Sequence, residues 1–225
     1  MLNFVAASFI PPKIIKNTNL AEQCFAKSYY KVKWEQPVHY NIEPCAENIS
    51  DECQLVIART VTLNLIVFAF RGTISKDQMH PEADATLLEL IPWKYNTSFG
   101  KVNKHFFYAA ENFWHNNIET YLKTYNDSNF AFTGHSIGGA IASLIALKAR
   151  HLGLVEANKM TLYTFGEPRI GDLQLAKNFQ SLIPESYRVI HYSDIVPHLP
   201  LCDGIFSDSC KDNPEKPYHQ PQEIW

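Results

Sequence analysis

No apolar run in this sequence is long enough to span a bilayer. The longest, Leu63–Phe70, includes Asn64 and falls far short of the roughly 18 residues a membrane span needs. Neither sign of charge is in surplus: 20 Lys and Arg face 23 Asp and Glu, a formal net charge of −3. The basic face that nucleic-acid binding requires is therefore missing, and no nucleic-acid partner is expected. Charged residues make up only 19% of the chain against 46% hydrophobic, which excludes a wholly disordered polymer. There is no internal repeat and no low-complexity linker. The G-x-G-x-x-G and P-loop patterns that cradle dinucleotides and phosphates are also absent, so no cofactor is expected. The five cysteines include no C-x-x-C pair and no Cys/His spacing of a zinc site. His219 and Glu223 are four apart, but Pro221 between them argues against a ligand pair on a helix. What is left is the material for a single domain over residues 1–225, with a sizeable core.

Cys45 and Cys53 lie close together in a polar stretch, and Cys202 and Cys210 flank another. Short loops of this kind suit local disulfides in an oxidising compartment. Sequons at Asn48, Asn96 and Asn126 point the same way, towards a secreted glycoprotein, although the apolar start Met1–Ile10 lacks the basic residues and cleavage site of a signal peptide.

Residues 1–54, broken by Pro11, Pro12, Pro37 and Pro44, read as an irregular N-terminal extension with one helix, Leu20–Tyr30. Leu55–Ala58 and Leu63–Phe70 then read as strands, the second a continuous apolar run of the type covered on both faces. Val102, Phe106, Ala109, Phe113 and Tyr121 recur at helical spacing, predicting one long amphipathic helix over Lys101–Tyr125. Phe130–Thr133, Met160–Phe165 and Tyr187–Tyr192 are further strands, and Ile137–His151 is an apolar helix stopped by Gly153. Strands alternating with helices imply an α/β fold with a mostly parallel sheet and helices on both faces.

The chemistry concentrates at Gly134-His135-Ser136-Ile137-Gly138, a G-x-S-x-G pattern between an apolar strand and an apolar helix. A serine at so sharp a turn needs glycines two residues to either side, because the chain approaches itself closely there. The turn lifts the hydroxyl above the sheet and leaves the first N–H groups of the helix unpaired, ready to hold an oxyanion. Serine is a poor nucleophile without a base, and the base needs an acid to orient it, in the chain order Ser, Asp, His. Asp194 follows the strand Tyr187–Tyr192 at the edge where catalytic residues of open α/β sheets gather. His198 is only four residues further on and confined by Pro197 and Pro200. His219, 25 residues past Asp194 in a proline-punctuated loop, is favoured over it by spacing.

Phe70-Arg71-Gly72-Thr73, the serine motif extended through Gly139-Ala140, Tyr163–Asp172 (YTFGEPRIGD) and Asp194-Ile195-Val196-Pro197 occur in order. Together they resemble the class 3 lipases, the fungal-lipase-like branch of the α/β-hydrolases, and within them the secreted nematode-type members. The resemblance implies a lipase acting on lipid esters, with Ser136 as nucleophile, Asp194 as orienting acid and His219 as base. It also implies an oxyanion hole formed by the N–H groups of Thr73 and Ile137, and a structural role for Gly166, Pro168 and Arg169. Such lipases carry a lid where this chain has Ile74–Tyr95; there Leu87, Leu88, Leu90, Ile91 and Trp93 suit either an acyl-binding face or ordinary core packing.

Overall fold

The computed structural model describes residues 1–11, 13–14, 19–28, 32–35, 39–45, 52–72, 89–201 and 213–225. Strands β1 (His39–Pro44), β2 (Glu52–Thr60) and β3 (Leu65–Arg71) form an antiparallel meander. β6 (Asn129–His135), β7 (Met160–Phe165), β8 (Ser186–Val189) and β9 (Glu223–Ile224) continue it in parallel. The strand order is β1-β2-β3-β6-β7-β8-β9, and a separate pair joins β4 (Leu90–Pro92) to β5 (Lys101–Asn103).

Both faces of this sheet are covered, as the apolar strands imply. Leu55 and Ile57 of β2, with Ile66, Phe68 and Phe70 of β3, face one core. Their alternate neighbours Val56, Ala58, Val67 and Ala69 face the other. The first core holds helices α3 (Lys104–Phe113), α5 (Ile137–His151) and α6 (Leu173–Leu182). The second holds α1 (Leu2–Ser8) and α2 (Leu20–Ser28), whose Phe4 and Phe25 pack around Trp34. Residues 1–54 are therefore less irregular than expected: among the described residues they supply α1, α2, the edge strand β1 and the start of β2. β1, with the sequence HYNIEP, is half-exposed along its length, and such a strand gives no apolar signal. The Cys45–Cys53 disulfide, expected from spacing, closes the β1–β2 connection. Cys202 and Cys210 lie outside the described residues.

The predicted Lys101–Tyr125 helix is divided. β5 takes its first three residues; α3, a π-helical turn at Trp114–Ile118 and α4 (Glu119–Thr124) take the rest. The wider turn returns Ile118 towards the face of Phe113, so that both stay buried.

Helix α5 is buried from Gly138 to Ala149, which fits its apolar character all round. Its one buried charge, Lys148, donates to Glu111 Oε1 of α3 at 2.6 Å and lies over the rings of Trp114 and Tyr95. Tyr95 donates to the same carboxylate. Among the described residues no helix is long and apolar enough to cross a membrane.

Candidate active site

Ser136 sits between the end of β6 and the start of α5 with φ 56° and ψ −130°, in the left-handed half of backbone space that a non-glycine residue enters at a cost. Its N–H donates to Phe165 O on β7 at 2.9 Å. The flanking glycines are required by contact. A Cβ on Gly134 would stand 2.2 Å from Gly138 O, and one on Gly138 would stand 2.3 Å from Phe70 O. Gly72, just past β3, abuts the same turn: its Cβ would meet Gly138 N at 3.0 Å and Ile137 N at 3.1 Å. The chain leading to Thr73 thus passes beside the first N–H groups of α5, which have no acceptor within the helix. Thr73 itself lies outside the described residues, as do residues 74–88 of the expected lid Ile74–Tyr95. Trp93, at the end of the lid stretch, is buried in the core beside Tyr95 and Phe107.

Asp194 leaves the end of β8 through a turn in which its N–H donates to His191 O at 2.9 Å. Its Oδ1 accepts from Val196 N at 3.0 Å, starting a short 3-10 turn at Val196–His198. Its Oδ2 lies over Gly166, where a Cβ would come within 2.5 Å of it. Gly166 has φ 56° and follows β7 directly, so only glycine leaves room for the carboxylate. The ring of His135, the residue before the serine, faces the same gap. Desolvation lowers its pKa, and the charge of Asp194 acts against that shift. Ser136, His135 and Asp194 thus gather at the carboxyl ends of β6, β7 and β8.

His219 does not join them in the way its place in the chain suggested. Its Nε2 is hydrogen-bonded to Pro197 O at 2.5 Å, and its Nδ1 is buried with no hydrogen-bond partner among the described residues. The expected Asp194–His219 pair is not formed. Burial, with the positive charges of Arg188 and Arg169 and with His198, pushes the His219 pKa well below the usual histidine value, against the raising effect of the Pro197 bond.

Sequence reasoning missed a polar network under the elbow. Buried Glu167 accepts from Thr164 Oγ1 at 2.5 Å and from Gln220 Nε2 at 2.8 Å. Arg188 donates through Nε to Gln220 O and through Nη2 to Glu223. Burial raises the Glu167 pKa, while hydrogen bonds from Ser143, Thr164 and Gln220 and the charge of Arg188 oppose the shift. The signal that pointed here was two charged residues, Glu167 and Arg169, in the turn closing an apolar strand. Among the described residues no group of His, Cys, Asp and Glu could hold a metal ion.

A mostly parallel sheet sandwiched by helices, with a strained serine between strand and buried helix, defines an α/β-hydrolase. The chain matches the family described as Lipase (class 3) over residues 67–204, and it belongs to that family. It is 32% identical over 189 residues to the lipase ZK262.3 of Caenorhabditis elegans, covering 79% of this chain and 53% of that protein. It is 35% identical over 151 residues to a lipase of Rhizomucor miehei, covering 64% of this chain and 40% of that one. A solved fungal lipase–inhibitor complex aligns with a TM-score of 0.74 and 26% identity, over 99% of this chain and 76% of that one. The Rhizomucor miehei triacylglyceride lipase structure aligns at 0.68 with 26% identity, over 89% and 72%. The chain spans about half the length, or less, of these two curated relatives.

Proposed function

We propose that this chain carries the nucleophile and orienting acid of a carboxylic ester hydrolase acting on acylglycerol lipids. The observation that carries the reading is the backbone of Ser136, held at φ 56° by glycine contacts no side chain would permit. Ser136 Oγ attacks the ester carbonyl, and the alkoxide is stabilised by the N–H groups of Ile137 and Thr73. The alcohol leaves with a proton, and water then releases the acyl group from Ser136. Each oxyanion donor is worth roughly 10²–10³ in rate. Asp194 orients the imidazole that takes the Ser136 proton, an imidazole that has to be neutral and to reach both groups.

Membership of the class 3 lipases supports lipid esters as the substrate class, and the exposed Asn96 and Asn126 are compatible with a secreted glycoprotein. Hydrolysis of p-nitrophenyl esters from C4 to C16, with and without a lipid–water interface, tests the reading. Rates that rise with chain length and at the interface, and vanish in Ser136→Ala, are expected. Activity confined to soluble short esters makes the protein an esterase. Absence of both hydrolysis and fluorophosphonate labelling in folded protein overturns the enzymatic reading in favour of a lipid- or partner-binding hydrolase fold.

A further inference from the structure

Four consecutive carbonyl oxygens downstream of Asp194 are held by two residues. Pro197 O meets His219 Nε2 at 2.5 Å. His198 O and Pro200 O both accept from Arg169 Nη1, at 2.8 and 2.7 Å. Leu199 O accepts from the backbone N–H of Arg169 at 2.7 Å. The row begins one residue after Val196, whose N–H fixes the Asp194 carboxylate. A loop that must place a carboxylate accurately is here gripped along its backbone from the adjacent β7 turn and from the segment leading to β9.

The ring bond also sets the tautomer. A carbonyl oxygen only accepts, so Nε2 must carry the proton, and Nδ1 is the bare, buried nitrogen. A base in a Ser–His–acid arrangement has the opposite form, with its proton on Nδ1 towards the acid and the Nε2 lone pair towards the serine. The neighbours of His219 hold it in place. Tyr218 N–H donates to Gly171 O at 2.6 Å, and Gln220 accepts from Arg188 through its carbonyl and donates to Glu167 through its side chain. Among the described residues, the charged and titratable groups acting on the ring are Arg188 of β8, Arg169 of the β7 turn and His198 of the gripped loop.

We propose that His219 is a positioning residue, a neutral Nε2–H imidazole that together with Arg169 clamps the loop carrying Asp194, and is not the base that accepts the Ser136 proton. The consequence for catalysis rests on the reading of Ser136 and Asp194 given above; the tautomer does not.

Long-range ¹H–¹⁵N correlation NMR of the full chain, with the His219 ring assigned from its backbone, decides the point without any variant. The expected pattern is Nε2–H with no titration between pH 5 and 8. An Nδ1–H pattern, or a ring that titrates in that range, overturns the proposal. Fluorophosphonate labelling adds a readout at Ser136. His219→Gln, whose amide N–H can replace the bond to Pro197, is expected to label within about threefold of wild type, whereas His219→Ala loses about tenfold through misplacement of Asp194. A loss beyond about 100-fold in His219→Gln, the scale of a missing general base, overturns it. Wild-type protein that does not label at all refutes the Ser136 reading, while the NMR result still decides the role of His219.

Discussion

Ser136 and Asp194 leave the same edge of the sheet two strands apart, and their loops are secured by opposite means. The elbow is held by backbone against backbone: Gly72, Gly134 and Gly138 have no side chains, and the chain closes on itself where those side chains would be. The acid loop is held by side chains reaching to backbone, with Arg169 and His219 on its carbonyls and Gly166 leaving space for the carboxylate. The first kind of restraint is steric and intolerant of any added atom, and it comes from the end of β3 as well as from within the turn itself. The second is assembled from segments 22 to 31 residues away and depends on hydrogen bonds that conservative replacements can imitate.

The largest expected effect is at the nucleophile. Ser136→Ala should reduce ester hydrolysis by at least about 10⁴-fold while leaving the denaturation midpoint near wild type; hydrolysis at wild-type rate would remove Ser136 from the mechanism. Next, Gly134→Ala should lose about 3 kcal/mol or more in chemical denaturation, because its Cβ meets Gly138 backbone atoms that cannot yield. A loss under 1 kcal/mol would mean the elbow is softer than its contacts imply. Arg169→Met frees His198 O and Pro200 O, and should cut labelling of Ser136 by roughly tenfold with a smaller effect on stability; an unchanged rate would show that the acid loop holds without its clamp.

Gly153 separates conformational from steric cost. It has φ 68° but nothing within 4 Å of a Cβ, so Gly153→Ala should cost only about 1 kcal/mol. The smallest effect is a slope. The Glu167 pKa is raised in the folded protein, so folding favours its protonated form. That contribution is fully present below the ordinary carboxylate value and is lost as pH rises through the raised one. Wild-type denaturation midpoints should therefore decline on leaving the acid range, and Glu167→Gln should remove that part of the decline.

The same contrast explains what was legible in the sequence. The elbow is written in five contiguous residues between an apolar strand and an apolar helix, so strand, serine and helix were located together. Asp194 was singled out because strand ends are where an open sheet exposes polar groups, and it lies in the loop after β8 with its carboxylate beside Gly166. The burial of β3 on both faces followed from its continuous apolar run. His219 was read from its order in the chain, which carries no information about which nitrogen meets which acceptor; that is fixed by Pro197, Arg188 and Gly171 arriving from three other elements. β1 escaped notice because an edge strand needs few apolar residues. The π-helical turn escaped because a spacing of five between Phe113 and Ile118 looks like an interrupted α-helix.

Lys148, which pairs with the buried Glu111 of α3, lies on the last turn of α5, the helix whose first residues make the elbow. Breaking one partner leaves a desolvated charge, so that end of the helix does not fray at low cost. A helix anchored at its far end and packed on every side opens only when the core opens. Amide hydrogens along its interior should accordingly exchange among the slowest in the molecule, at the rate of global unfolding. The strained serine would then be an inherited property of the whole fold's cooperativity, present before any ester arrives.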